Sequence, residues 1–178
     1  MRATLFAAEK HRDQRRKGIE ASPYINHPIQ VAEILATVGE VGDLTTLMAA
    51  LLHDTIEDTD TSSEELESLF GAEVAGVVSE VTDDKSLAKA ERTRLQIEHS
   101  PHMSDRAKMI KVADKTCNVR DIRAKPPADW DEHRRREYFD WARKVVEGCR
   151  GVNTKLDNYF DECVKKSADS LAARVSRD

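Results

Sequence analysis

The sequence predicts an all-α protein that folds as one domain. Its 178 residues suit a single hydrophobic core. Charged residues make up 34% of the chain and aromatic residues 5%, which suits helices with a hydrated surface better than a β-sandwich. In most segments apolar residues recur three and four positions apart, as they do on one face of a helix. We find no internal repeat, low-complexity stretch or second domain, so residues 1–178 are expected to form one domain.

Charge and hydropathy argue against two classes of partner. The net charge of −5 does not favour non-specific binding to nucleic acid. The longest strongly apolar run, Leu47 to Leu52, is far too short to span a bilayer, and the N-terminus has no apolar signal segment. We therefore expect a cytoplasmic protein with no nucleic-acid partner and no membrane partner.

The cysteines agree with a reducing compartment. Cys117, Cys149 and Cys163 are odd in number and form no CxxC pair, so neither a disulfide framework nor a thiolate zinc site is predicted. Each cysteine is expected to fill a small space in the core.

The first helix is predicted over about residues 4–16, with Leu5, Ala8 and His11 as the candidates to face inward. A basic cluster closes this helix before Gly18: Arg12, Arg15, Arg16 and Lys17. Cations stabilise the C-terminal end of a helix, which is one explanation of the cluster. Arginine also matches the geometry of phosphate oxygens, so a phosphate site is the other explanation.

The second helix is predicted to begin after Asn26, which is expected to be its N-cap. His27 then occupies the first helical position and Pro28 lies in the first turn, where its missing N–H costs nothing. The apolar spacing supports a helix to about Val38. A histidine at the first turn is usually a packing or capping residue, and His27 becomes a ligand only if this helix end meets the next one.

The third helix is predicted from Leu44, with Asp43 as its N-cap. It is apolar nearly all round, so we expect it in the core, and one face is a row of large side chains. That row is Leu44, Leu47, Met48, Leu51 and Leu52. If the helix continues, His53 stacks on Glu57 and Asp54 on Asp58.

Ionisable residues crowd the end of this helix, from His53 to Asp60. Carboxylates there oppose the helix dipole and lose hydration, and no lysine or arginine occurs between Asp43 and Asp84. A divalent cation bound by imidazole and carboxylate groups is the natural compensation. The alternative is that these acids lie on a solvated helix end.

The middle of the chain is predicted to hold three further helices. Ser62 caps the first of these, which runs from Glu64 to Phe70. Residues 72–81 have valines at helical spacing, although their β-branched content makes a strand the competing prediction. After a turn, residues 86–99 form a polar helix that bears Lys89 and is expected to lie on the surface.

The long helix from Asp105 to about Arg123 carries an unusual polar row. Asp114, Asn118 and Asp121 share a face with apolar residues. Either the row pairs with Lys111 and Lys115, or it meets a ligand. After Pro126 and Pro127, helices are predicted over residues 130–148 and 153–164, and a polar tail over about residues 165–178 is expected to fray.

Five separated motifs resemble those of the small alarmone hydrolases. These are single-domain, metazoan-type relatives of the hydrolase half of the Rel/SpoT proteins, within the HD-domain metal-dependent phosphohydrolases. The likeness spans about residues 4–160. The motifs are Arg15 to Lys17, Pro23 to Pro28, Ala49 to Thr59, Val81 to Lys85, and Lys111 to Lys115 with Asn118, Arg120 and Asp121.

The resemblance implies an HD-domain helical bundle of roughly eight to ten helices. It implies cleavage of ppGpp or pppGpp at the 3′-pyrophosphate, giving GDP or GTP and pyrophosphate. One divalent ion, usually Mn²⁺ in this family, would be bound by His27, His53, Asp54 and Asp114. The implied catalytic acids are Glu57 and Asp58. The implied substrate-binding residues are Arg16, Lys17, Tyr24, Lys89, Asn118, Arg134 and Tyr138.

One departure from the family pattern is visible. Thr116 and Cys117 stand where relatives often carry Leu-Tyr, so the packing beside Asp114 is open to question. No synthetase domain follows, so the chain is expected to degrade the alarmone without making it.

Two alternatives stay open at this point. The same site could hydrolyse another phosphorylated nucleotide, such as NADPH. The chain could also be a non-catalytic nucleotide sensor, although none of the ligand and acid positions named above is damaged. The sequence does not indicate an oligomeric state.

Overall fold

The computed structural model describes residues 1–18 and 20–175, with side chains described as far as residue 169. Within these residues the regular structure is ten α-helices and one 3₁₀ turn, Ser100–His102, and there is no β-sheet. The all-α bundle expected from the sequence is confirmed. The helices are α1 (Arg2–Lys10), α2 (Asn26–Thr37), α3 (Leu44–Leu52), α4 (Thr55–Asp58), α5 (Ser63–Phe70), α6 (Ala72–Val81), α7 (Lys89–His99), α8 (Asp105–Ala124), α9 (Glu132–Cys149) and α10 (Thr154–Val175).

The long helix α8 lies at the centre of the bundle. Helices α2, α3, α6, α9 and α10 all pack against it. Several of its apolar residues, among them Ile110 and Val119, are fully buried, and so are Leu35 of α2 and Phe160 of α10. A polar side chain on α8 is therefore held at a fixed place inside the bundle.

Helix α3 forms where the sequence predicts it, with a different buried face. Asp43 caps it by accepting a hydrogen bond of 3.0 Å from the N–H of Thr46. The residues of α3 with no exposed surface are Thr46, Ala49, Ala50 and Leu52, so only Leu52 of the predicted row is fully buried. The small residues allow α2 and α6 to approach closely. Leu44, predicted to face inward, is 72% exposed in the first turn.

The helix is interrupted between α3 and α4. Helix α3 ends at Leu52, and α4 begins only at Thr55, so the predicted stacking of His53 on Glu57 along one helix does not form. The hydroxyl of Thr55 donates to the free carbonyl of Leu52 at 2.7 Å, which satisfies one of the carbonyls that the helix end leaves open. His53 and Asp54 lie in this break.

Two helix ends near the N-terminus differ from the prediction. Helix α1 ends at Lys10 rather than near Arg16, because His11 turns into the core and the chain then doubles back. The returning chain is held by a 2.9 Å hydrogen bond from the N–H of Arg16 to the carbonyl of Ser22. The basic cluster thus lies in a loop. Asn26 makes no capping hydrogen bond and belongs to α2 itself.

Other boundaries shift by smaller amounts, apart from the last. Ser62 caps α5 as predicted, residues 72–81 are a helix rather than a strand, and α7 and α9 begin two to three residues later than predicted. Helix α10 does not end near Val164 but continues to Val175, since Ser167 is still buried and donates to the carbonyl of Cys163 at 2.7 Å. The predicted frayed tail is therefore helical as far as Val175, and residues 176–178 lie outside the described residues.

None of the helices in the described part of the chain combines the length and apolar character that a bilayer span requires.

Candidate metal centre and active site

Three helices bring three ligand-type side chains to one point. Ligand atoms of His27, His53 and Asp114 lie within 4.8 Å of one another, and all three residues are buried. His27 is in the first turn of α2, His53 follows the last turn of α3, and Asp114 lies in the middle of α8. The chain separation is large, so only the packing of α2 and α3 against α8 creates this cluster.

Asp54 completes the group of four. Its Oδ2 atom lies 3.0 Å from Nε2 of His53 and 3.7 Å from Nε2 of His27. Oδ1 of Asp114 lies 3.2 Å from the same nitrogen of His27. The hydroxyl of Tyr24 donates to Oδ2 of Asp54 at 2.7 Å and fixes that carboxylate in place. The structure thus brings together all four residues predicted to bind the ion.

The nitrogen of His53 that faces the cluster is suited to a cation. Nδ1 donates to the carbonyl of Ala50 at 2.8 Å, so in the neutral ring the lone pair is on Nε2. Nε2 is buried without a hydrogen-bond partner among the described residues, although Oδ2 of Asp54 lies 3.0 Å away. A divalent ion with imidazole and carboxylate ligands fits this donor set.

The electrostatics of the cluster also call for positive charge. Burial alone would lower the pKa of His53, yet the neighbouring Asp54 carboxylate raises it to about 9. Burial keeps the pKa of His27 below its usual value. Burial would raise the pKa of Asp114, but Lys115 and the two histidines hold it well below its usual range. Two buried carboxylates thus attract a proton to His53, at the place where a cation would otherwise balance them.

Glu57 and Asp58 are held on the side of the cluster that α4 forms. An oxygen of Glu57 accepts a 3.2 Å hydrogen bond from the N–H of Asp83, and the other lies 3.8 Å from Nη1 of Arg92. Burial, and then the charge of Asp83, raises the pKa of Glu57. Asp58 accepts a 2.8 Å hydrogen bond from the side-chain amide of Gln14 and pairs with Lys85.

The basic loop after α1 reaches the polar row of α8. Nη2 of Arg16 donates to Oδ1 of Asn118 at 2.8 Å and to Oδ2 of Asp121 at 2.7 Å. Its guanidinium group also lies 5.7 Å from the centre of the Tyr24 ring. Asp121 therefore pairs with the loop, and not with a lysine of its own helix as the simpler interpretation had it.

A polar cavity of about 150 Å³ opens over the cluster. Eight of the thirteen residues predicted for the site line it, namely Arg16, Tyr24, His27, His53, Asp54, Glu57, Asp114 and Asn118. A nucleotide phosphate placed here would meet the four ligand-type groups, one acid and the Arg16 guanidinium together.

The other five predicted residues lie outside the cavity lining. Lys17 and Lys89 are exposed, and Asp58 is set back behind its contacts with Gln14 and Lys85. The Arg134 guanidinium lies 4.9 Å from the centre of the Trp130 ring. Tyr138 packs between Trp130 and Trp141, and burial raises its pKa to about 12. These five residues do not line the cavity, although Tyr138 lies near enough to Lys115 and Asp114 for their charges to act on its pKa.

Five lining residues were not predicted as site residues: Val81, Asp83, Gln96, Lys111 and Lys115. Lys111 donates to the carbonyl of Val81 at 2.8 Å, and Lys115 donates to Asp114 at 3.0 Å. Lys115 also lies 4.6 Å from the centre of the Trp141 ring. A signal for Asp83 existed in the recognised motif Val81 to Lys85, and both lysines were noted beside the polar row of α8.

Comparisons with known proteins agree with this geometry. The HD-domain family model matches residues 3–140. The chain is 59% identical to guanosine-3′,5′-bis(diphosphate) 3′-pyrophosphohydrolase MESH1 of Danio rerio over 157 residues, which cover 88% of this chain and 87% of the relative. It is 52% identical to the Homo sapiens protein of that name, with 93% of each chain covered. A solved structure, described as a metazoan ortholog of SpoT that hydrolyses ppGpp, superposes with a TM-score of 0.90 at 51% identity and covers 93% of each chain.

Proposed function

The chain belongs to the HD-domain family, and from that premise we propose that it is a metal-dependent guanosine-3′,5′-bis(diphosphate) 3′-pyrophosphohydrolase. It removes pyrophosphate from the 3′ position of ppGpp or pppGpp and leaves GDP or GTP. The observation that carries the proposal is the convergence of His27, His53 and Asp114 within 4.8 Å, in a chain that covers nearly the full length of relatives with this activity.

The proposed ligands of one divalent ion are His27, His53, Asp54 and Asp114. We propose Mn²⁺ as the ion that the enzyme uses. When bound, such an ion supplies Lewis-acid activation of water and of the phosphoryl group. The buried, unpartnered nitrogen of His53 and the low pKa of Asp114 support this assignment.

Glu57 is the proposed proton acceptor for the attacking water, and Asp58 assists it. A general base works best when its pKa lies near the working pH, and the raised pKa of Glu57 moves it in that direction. Its hydrogen bond from the N–H of Asp83 holds the carboxylate at the cavity edge, 3.8 Å from the Arg92 guanidinium. Asp58, fixed by Gln14 and Lys85, is placed to orient groups around Glu57.

Cationic and amide groups of the cavity hold the nucleotide. Arg16 and Asn118, already joined by a 2.8 Å hydrogen bond, are proposed to border the guanosine and its phosphate groups, with Tyr24 beside them. Cations near the departing pyrophosphate offset its growing charge, as phosphoryl transfer generally requires. Lys17, Lys89, Arg134 and Tyr138 are proposed contacts at the rim, made once substrate is bound.

The proposal is tested by incubating the purified chain with ppGpp, with and without Mn²⁺, and identifying products by chromatography. GDP and pyrophosphate should appear only with the metal. NADPH and GTP should be tested in parallel at equal concentration. Faster release of phosphate from NADPH than of pyrophosphate from ppGpp would replace the proposed substrate, and tight ppGpp binding without turnover would favour the sensor.

Two further parts of the proposal rest on the sequence alone. We propose that residues 1–178 form one domain and that the enzyme acts in the cytoplasm on a small-molecule nucleotide. Size-exclusion chromatography with light scattering measures the oligomeric state, for which we make no prediction.

A further inference from the structure

The Nδ1 side of the His27 ring contacts a cysteine. Sγ of Cys117, in α8, lies 3.4 Å from Nδ1 of His27. The same sulfur donates a hydrogen bond to Oε1 of Gln30 at 3.2 Å. Cys117 is only 2% exposed and its contact with His27 is buried, whereas Gln30 is an exposed residue at the end of the second contact.

The two contacts together favour one direction for each hydrogen bond. An amide oxygen has no hydrogen to give, so the S–H of Cys117 points at Gln30. The sulfur lone pairs are then left to accept a hydrogen bond, and the ring nitrogen of His27 is the group in contact with them. This direction assigns the proton of the neutral His27 ring to Nδ1, in competition with the Asp114 carboxylate, which lies 3.2 Å from Nε2.

Protonation at Nδ1 leaves the lone pair of His27 on Nε2. That nitrogen faces the cluster, at 3.2 Å from Asp114 and 3.7 Å from Asp54. An imidazole binds a metal only through an unprotonated nitrogen, and the hydrogen bond at the other nitrogen selects the tautomer. In the neutral His53 ring the lone pair is likewise on Nε2, because Nδ1 donates to the Ala50 carbonyl at 2.8 Å.

We propose that Cys117 is a positioning residue, whose thiol holds His27 in the tautomer and ring orientation that the metal centre needs. The proposal rests on the proposed metal site. A thiol is a weaker acceptor than a carbonyl, so the tautomer of His27 is held less firmly than that of His53. Removing the thiol favours the other tautomer, in which the proton is on Nε2, directed at Asp114, and competes with the cation.

The first test is Mn²⁺ binding, followed by the electron paramagnetic resonance signal of the free ion. Cys117→Ala should weaken Mn²⁺ binding by about 10-fold, the lower end of the effect of losing a partner behind a metal-binding histidine. Cys117→Ser, which keeps a group that can donate and accept, should bind more tightly than Cys117→Ala. Cys149→Ala is the matched control, because Cys149 is a buried helical cysteine, 1% exposed, that lies away from His27.

The second test reads the tautomer of His27 directly, by long-range ¹H–¹⁵N NMR of histidine-labelled protein without metal. The wild-type ring should be protonated at Nδ1, and Cys117→Ala should show a shift toward protonation at Nε2. His53 should keep its Nδ1 proton in every variant. A change of packing alone would not move the proton within one ring and leave the other unaffected.

Two results would overturn the proposal: a wild-type His27 protonated at Nε2, or equal Mn²⁺ affinity in Cys117→Ala and Cys149→Ala. Failure of the proposed function looks different. In that case the wild-type chain does not bind Mn²⁺ or does not hydrolyse ppGpp, while the metal-free NMR experiment still decides the tautomer and its dependence on Cys117.

Discussion

Helices α7 and α8 are both rich in charged residues and yet have opposite positions in the bundle. No residue of α7 is fully buried, whereas α8 is buried around most of its circumference, including Lys111, Asp114 and Lys115. The fraction of charged residues therefore does not tell a core helix from a surface helix in this protein.

The difference lies in the partners of the charged groups. On α8, Lys115 pairs with Asp114 at 3.0 Å and Lys111 donates to the Val81 carbonyl, so the cost of burying each charge is partly offset. On α7, Arg94 pairs with Glu91 and Glu98 in solvent, where ion pairs contribute little. Partners on α8 itself and on other segments, such as His27 for Asp114, therefore allow α8 to be polar inside the bundle.

One face of helix α7 still contributes side chains to the site. Gln96 lines the cavity and donates to Asp83, and Arg92 lies 3.8 Å from Glu57. Substitutions in α8, in α7 and at Glu57 should therefore have effects that differ in size and in the property that changes.

The largest effect is expected from Asp114→Ala on α8. It removes a proposed ligand and leaves Lys115 buried without its carboxylate, which should destabilise the fold by about 3 kcal/mol. Mn²⁺ binding and ppGpp hydrolysis should be lost together, as measured by paramagnetic resonance and chromatography, with urea denaturation for stability. Asp105→Ala, at the exposed start of the same helix, is the control. Mn²⁺ binding that survives in Asp114→Ala would refute the assignment.

Glu57→Gln should separate chemistry from metal binding. The substitution preserves size but removes the proposed base, so kcat should fall by about 10²- to 10⁴-fold. Mn²⁺ affinity should change little, because Glu57 is not a proposed ligand. Glu67→Gln, on the exposed face of α5, controls for a general effect of losing a carboxylate. Full activity in Glu57→Gln would remove its catalytic role.

Arg92→Ala should act through the pKa of Glu57. That pKa is already raised, and hydrolysis requires the ionised form, so the rate should fall as pH decreases through it. Losing a cation 3.8 Å away favours the neutral carboxyl and raises the pKa further. The acid limb of the kcat profile should therefore move up by about half a pH unit. An unshifted profile would show that Arg92 does not contribute.

The smallest effect is expected from Arg94→Ala, two residues along α7. Its ion pairs with Glu91 and Glu98 are exposed, so the melting temperature should stay within about 2 °C of wild type. The kcat profile should not move, which makes this variant the control for Arg92→Ala. A larger loss of activity in Arg94→Ala than in Arg92→Ala would contradict the contrast drawn along α7.

Much of the site could be predicted from the sequence, with a clear limit. His53 and Asp54 directly follow an apolar helix, where ionisable residues are costly and therefore indicate a function. Asp114 is also informative, because it is a charged residue on a helix face that is otherwise partly apolar. The partners at the far edge of the cavity could not be found by this reasoning. Gln96 and Arg92 occur in a segment whose composition is that of any solvated helix, and only packing shows that one side of it faces Glu57.

The amino-acid sequence by itself determined the helical fold, the caps at Asp43 and Ser62, and the identity of the four ligand-type residues. These depend on neighbours within a few positions, or on motifs that local chemistry makes recognisable. Only the tertiary structure decided that α1 ends at Lys10, that the helix is interrupted at His53, and that Cys117 lies against His27. Each of these depends on contacts between segments far apart in the chain, whose distances no local pattern contains.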